Sequence, residues 1–130
     1  MAHYVDTSAL VKLVVAEPET VALRAWLRAT DRQPVACDLA RTELLRTVRR
    51  VAPKRVLQAR AVLDSLTLIE ITASLFEEAG RLDPSALRGL DAIHLASALD
   101  LGDDLDGLVT YDDRLAEAAA LYGIAVVAPA

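Results

Sequence analysis

The chain has 130 residues, 54% of them hydrophobic but only 4% aromatic, and a formal net charge of −5. This length predicts one domain spanning 1–130 that buries roughly two-thirds of the surface its unfolded form exposes, and its core of Ala, Val, Leu and Ile suits helices layered on a parallel sheet better than a β-sandwich. The lone cysteine, Cys37, excludes an internal disulfide, and no apolar run reaches the ~18 residues of a membrane span, so a soluble cytoplasmic protein is expected.

In chain order, His3-Tyr4-Val5 reads as a short buried strand that stops at Asp6 and turns into a helix from Ser8 to Val15. Pro18 suits the first turn of a second helix, which runs to about Ala29 with Leu23, Trp26 and Leu27 at helical spacing. Pro34 to Cys37 is a second strand. Asp38 is the expected cap of a helix over Leu39 to Val51, whose apolar side is Leu44, Leu45, Val48 and Val51. Pro53 breaks that helix, and the next runs from Lys54 to Ser65. Leu66 to Ile71 forms a third strand, and a helix from Thr72 to Leu82 follows. After a loop marked by Pro84 and Gly89, the segment from Ala92 to Leu101 is apolar nearly all round and predicts a buried helix that begins at Asp91. Asp106-Gly107 is read as a turn into the strand Leu108 to Thr110. Asp112, Asp113, a helix to about Tyr122, a stop at Gly123 and a last strand at Ala125 to Val127 complete the chain. Alternating strands and helices call for parallel pairing with right-handed crossovers, hence a three-layer α/β/α fold.

Charge is segregated along the chain. Residues 41–60 carry seven of the fourteen Lys and Arg against one acid, Glu43, whereas residues 100–117 carry seven acids against Arg114 alone. The basic run can hold nucleic-acid phosphates or be the solvated side of two helices. Almost no aromatic residue accompanies it, which argues against base stacking as a source of sequence preference.

Four acids stand where an open parallel sheet binds ligands, beyond the carboxyl ends of its strands. Asp6 follows the first strand, Glu43 lies one turn into the helix after the second, Asp91 begins the buried helix, and Asp112 follows the fourth strand. Singly, each has an ordinary explanation, since Asp6, Asp91 and Asp112 suit helix caps and Glu43 suits the first turn of a helix. Jointly, capping explains less, because Glu43 borders the apolar side of its helix inside a basic segment. Carboxylates gathered on one rim repel each other unless a cation lies among them, and an all-oxygen donor set suits Mg²⁺ or Mn²⁺. His94, three residues after Asp91, comes to the same side of its helix, although a hydrogen-bonded core histidine is the simpler reading.

Val5-Asp6-Thr7-Ser8-Ala9-Leu10, Ala40-Arg41-Thr42-Glu43-Leu44-Leu45-Arg46, Leu90-Asp91-Ala92-Ile93-His94-Leu95-Ala96 and Val109-Thr110-Tyr111-Asp112 together resemble the successive motifs of PIN-domain ribonucleases, and of the VapC-type toxins in particular. The likeness runs along essentially the whole chain. It implies a five-stranded parallel sheet, Mg²⁺- or Mn²⁺-dependent endonucleolytic hydrolysis of RNA, and inhibition by a cognate antitoxin. It also implies a homodimer that forms a larger assembly with the antitoxin. By position, Asp6, Glu43, Asp91 and Asp112 would be the catalytic, metal-binding acids, with the Ser8 hydroxyl a helper. Asp113 competes with Asp112, although the family's pattern of Thr, any residue, Asp selects Asp112 after Thr110. Asp38 stands where the family would have a small hydroxyl residue.

Other folds of this class lack their signatures here. A receiver domain needs an Asp after the third strand and a Lys after the last, where Glu70 and Val127 stand. A haloacid-dehalogenase-type phosphatase needs a second Asp at the position of Ser8, and the five glycines form no phosphate loop. The remaining alternative is a catalytically silent PIN fold used for binding.

Overall fold

The computed structural model describes residues 2–130. Strands β1 (Ala2–Val5), β2 (Gln33–Cys37), β3 (Thr67–Ile69), β4 (Leu105–Val109) and β5 (Val126–Val127) pair in parallel in the order β3-β2-β1-β4-β5. Seven α-helices connect them in the described residues: α1 (Thr7–Lys12), α2 (Thr20–Arg28), α3 (Leu39–Val51), α4 (Val56–Asp64), α5 (Ala73–Gly80), α6 (Gly89–Leu99) and α7 (Asp113–Leu121).

Because side chains alternate across a strand, the sheet feeds two cores. Val5, Ala36 and Val109 point to one face and pack with Leu10, Leu23, Leu44, Val48 and Leu63 from α1 to α4. Tyr4, Val35, Cys37 and Leu108 point to the other and pack with Leu95, Ala98, Leu115 and Ala119 from α6 and α7. Both faces of β1 are therefore covered, which is why Tyr4 and Val5, on opposite faces, are both fully buried. Small residues let α5 lie against α6 through Leu75, Ala79, Ala92 and Ala96. The expected three layers and five parallel strands are observed. No described helix is long and apolar enough to cross a membrane.

Three local expectations are corrected. Asp106-Gly107 is no turn, since both residues lie inside β4. Gly107 is needed there for space, because a Cβ would come within 3.1 Å of the Ala125 carbonyl oxygen and 3.3 Å of the His3 ring. The buried helix α6 starts at Gly89 with Arg88 as its first flanking residue, so Asp91 is in its first turn and is not its cap. Asp38 flanks α3 without capping it, and its Oδ1 instead accepts from Arg41 Nε at 3.0 Å. At the end of α7 the predicted glycine stop holds, with Gly123 at φ 74°.

The strand order places β1 between β2, which continues the chain in one direction, and β4, which continues it in the other. The gap between the carboxyl ends of β1 and β4 is thus the point where connections diverge to opposite sides and leave a crevice.

Candidate active site

Asp6 enters that crevice directly from β1 and is almost completely buried, 5% exposed. Its backbone N–H donates to Val109 O of β4 at 3.0 Å, which fixes the residue at the seam of the two strands. Its carboxylate is fully framed. Oδ1 accepts from the Thr7 backbone N–H at 2.7 Å, and Oδ2 accepts from the Ser8 hydroxyl at 2.7 Å and the Thr110 hydroxyl at 2.9 Å. Ser8 Oγ also accepts from the Tyr111 backbone N–H at 3.0 Å, so the start of α1 and the end of β4 share one network. Ser8, expected as a helper, is thus joined to Asp6 by a hydrogen bond that orients the carboxylate. Thr7 and Thr110 join it unforeseen.

Glu43 arrives from α3, half-buried, and its Oε1 accepts from the Thr7 hydroxyl at 2.8 Å and faces His94 Nε2 at 2.5 Å. His94 is 1% exposed, and its other nitrogen lies 2.8 Å from the Tyr4 hydroxyl and 3.9 Å from Cys37 Sγ. Burial opposes a charged imidazole, but the contacts to Cys37 and Glu43 and the charge of Asp6, 3.9 Å away, reverse the balance and lift its pKa to about 10. Both ring nitrogens then carry protons, so His94 donates to Glu43 and to the Tyr4 oxygen. Burial likewise opposes the charge on Glu43, yet its bond to His94 leaves its carboxyl below the usual value. The simple reading of His94 holds for its burial and misses its partner. The sequence signals only its side of α6, since position 94 lies three residues after Asp91.

Asp91 and Asp112 are placed differently. Asp112 caps α7, its Oδ1 accepting from the backbone N–H groups of Arg114 at 2.9 Å and Leu115 at 3.4 Å. Asp91 has no hydrogen-bond partner among the described residues, and burial together with the charges of Asp112, Asp6 and Glu43 pushes its carboxyl above the normal range. These two acids line a cleft of about 450 Å³ with Arg88, Tyr111, Asp113 and Arg114. Asp113, the first residue of α7, is exposed at that same cleft, so position alone does not separate it from Asp112.

The four acids therefore meet at one rim, but among the described residues no three His, Cys, Asp or Glu side chains stand in ligating geometry for a metal. Mutual approach within metal-bridging reach, as expected from the sequence, is not seen. The chemistry of the donor set still fits a hard divalent cation: all donors are carboxylate oxygens, and Asp91 carries the electrostatic strain of like charges that such an ion relieves.

A family model described as PIN domain matches residues 3–121. The chain belongs to the PIN-domain family. Within that family it is similar to Ribonuclease VapC46 of Mycobacterium tuberculosis, 46% identical over 128 residues and covering 98% of both chains. Ribonuclease VapC47 of the same species is 41% identical over 130 residues, covering 97% of this chain and 96% of the relative. Such identity along nearly the whole length makes this a VapC-type PIN chain. Among solved structures, Mycobacterium tuberculosis VapC20, described as a sarcin-ricin loop cleaving toxin, superimposes with a TM-score of 0.78 at 17% identity, covering 98% of this chain and 99% of that one. A toxin-antitoxin complex from Klebsiella pneumoniae superimposes with a TM-score of 0.72 at 22% identity, covering 98% of both chains. At those identities the likeness shows the shared PIN fold.

Proposed function

We propose that this PIN chain is the toxin of a toxin-antitoxin pair, a Mg²⁺- or Mn²⁺-dependent endoribonuclease that hydrolyses RNA phosphodiester bonds at Asp6, Glu43, Asp91 and Asp112. The observation that carries the reading is the electrostatic state of Asp91, whose ionisation is opposed by burial and by the nearby charges of Asp112, Asp6 and Glu43. A rim that accumulates charge at such a cost is suited to a cation and ill suited to stability alone. When bound, a divalent ion supplies charge neutralisation on a phosphoryl oxygen and a water acidified enough to attack at neutral pH. The protein's own part is orientation. Thr7, Ser8 and Thr110 hold the Asp6 carboxylate, and His94 and Thr7 hold Glu43. Asp91 and the second oxygen of Asp112 remain open toward the cleft.

The names of the VapC relatives support the ribonuclease activity, and the antitoxin in the Klebsiella complex supports a protein inhibitor. Exposed apolar side chains at Val21, Leu57 and Leu121 support contact with other chains, the antitoxin and a second copy of this one. A cytoplasmic setting, where RNA is available, accords with a single buried Cys37. The test is cleavage of purified RNA by the purified chain with Mn²⁺, with chelator, and with Mn²⁺ restored. Cleavage that stops and returns supports the reading. RNA left intact under all three conditions leaves the silent binding module.

A further inference from the structure

Arg46, Thr47, Arg49 and Arg50 wall a surface cleft of about 370 Å³ along α3. The three arginines are exposed, and among the described residues none of their side chains is engaged in a hydrogen bond or ion pair. Arg41, on the preceding turn, differs because Asp38 already neutralises it at 3.0 Å. Helical spacing relates the cleft to the acids. Arg46 and Arg50 lie three and seven residues after Glu43, within ~60° of it around the helix and about 4.5 and 10.5 Å further along the axis. A stripe of free guanidinium groups therefore leads away from Glu43. Beneath it Leu44 and Val48 are fully buried, so no apolar anchor sits between the arginines. The exposed apolar residues Val51 and Leu57 lie beyond the last of them, at the passage into α4.

A second group of acids, apart from the site, occupies the opposite end. Asp103, Asp104 and Asp106 line a cleft with Ala2, Gln33 and Thr67 at the start of the strands, whereas the four site acids lie at the strands' finish. The α3 flank thus offers a polyanion a concentrated positive charge, whatever the net charge of −5 suggests.

We infer that Arg46 and Arg50, with Arg49 and the Thr47 hydroxyl beside them, form a track for the sugar-phosphate backbone of single-stranded RNA flanking the bond to be cut. The inference rests on the ribonuclease reading. Guanidinium groups grip phosphate oxygens in paired hydrogen bonds, and a track without aromatic platforms binds the backbone with no regard to base. An acidic protein segment is the rival occupant. The lack of an apolar centre favours nucleic acid, since protein interfaces place apolar and aromatic residues there.

The test measures binding of a labelled single-stranded RNA in chelator, where no metal supports cleavage, across a salt series. Wild type, Arg46→Ala/Arg50→Ala, Arg46→Lys/Arg50→Lys and Arg41→Ala are compared, together with polyglutamate as a protein-like polyanion. The double alanine variant is expected to bind RNA roughly tenfold more weakly, with the slope of log K against log salt shallower by about 1.4, near 0.7 for each phosphate that no longer meets an arginine. The lysine variant keeps most of the slope, and Arg41→Ala matches wild type. Cleavage with Mn²⁺ falls in parallel with binding. If the double alanine variant binds and cuts RNA like wild type while wild type is active, the track is wrong and the ribonuclease reading stands. Unchanged RNA binding together with abolished polyglutamate binding assigns the surface to an acidic protein and also overturns the track. If wild type neither binds nor cuts RNA, the ribonuclease reading fails and takes the track with it.

Discussion

Asp6 and Glu43 stand in a frame of hydrogen bonds donated by Thr7, Ser8, Thr110 and His94, whereas Asp91 and Asp112 face the cleft with backbone caps or nothing to hold them. The physical state of the two pairs differs accordingly. Glu43 is stabilised as an anion by His94, while Asp91 is destabilised as one by its neighbours. The contrast teaches that the rim is half built. One side is fixed by hydrogen bonds within the protein, and on the other the charges of its neighbours and burial hold the Asp91 carboxyl above its usual range.

The largest expected effect comes from removing charge on the framed side. Asp6→Asn keeps the size and capping ability of the side chain but removes an anionic donor, and metal-dependent RNA cleavage should fall by about a thousandfold, roughly 4 kcal/mol of transition-state stabilisation. Circular dichroism should show the fold intact. Asp112→Asn should show a comparable loss and Asp113→Asn little change. The reverse order would assign the open side to Asp113.

Next in size is the brace itself. His94→Gln removes a buried cation and should cost about 3 kcal/mol of stability in urea denaturation without divalent ions. The loss should depend on pH. His94 in the folded chain titrates at about 10 against 6.5 unperturbed, so its contribution is complete below 6.5 and disappears as pH rises toward 10. Glu43 is lowered from 4.5, so its contribution is present above that value and is lost on further acidification. Wild type and His94→Gln should therefore differ most between pH 4.5 and 6.5 and converge toward pH 10. A constant difference across that range would show that His94 acts by packing alone.

The smallest effect has the opposite sign. Asp91 is raised, so its ionised form opposes folding at neutral pH, even though an acid in the first turn of α6 is favoured by the helix dipole. Asp91→Asn should raise the melting temperature of the metal-free chain by roughly 1–4 °C, measured by calorimetry. A lower melting temperature would mean that the like-charge repulsion is not felt.

How far this contrast was legible in the sequence depends on the range of the interactions. Asp6, Glu43, Asp91 and Asp112 follow from strand ends and helix starts, and α3 matched its expected bounds, Leu39 to Val51, because its apolar spacing and flanking breakers are local signals. The brace was hidden because it joins residues far apart, Tyr4 to His94 and Thr110 to Asp6, and hydroxyl-to-carboxylate pairing across strands leaves no periodic pattern. Asp106-Gly107 misled for a related reason. A local turn signal yielded to the close approach of Ala125 and His3, which only the assembled sheet brings there. At α6, Gly89 and Leu90 extend the helix upstream of the expected start, a shift of two residues that turns Asp91 from an expected cap into a first-turn acid facing the cleft.

The central claim is that the open acids complete a cation site with the framed ones, and a calorimetric titration of the metal-free chain with Mn²⁺ tests it most directly. Wild type should bind Mn²⁺ with a defined stoichiometry, and Asp91→Asn should bind at least tenfold more weakly while remaining folded, one anionic donor fewer being worth about 1.4 kcal/mol or more. Equal affinity in wild type and Asp91→Asn, or no binding by either, would contradict the account.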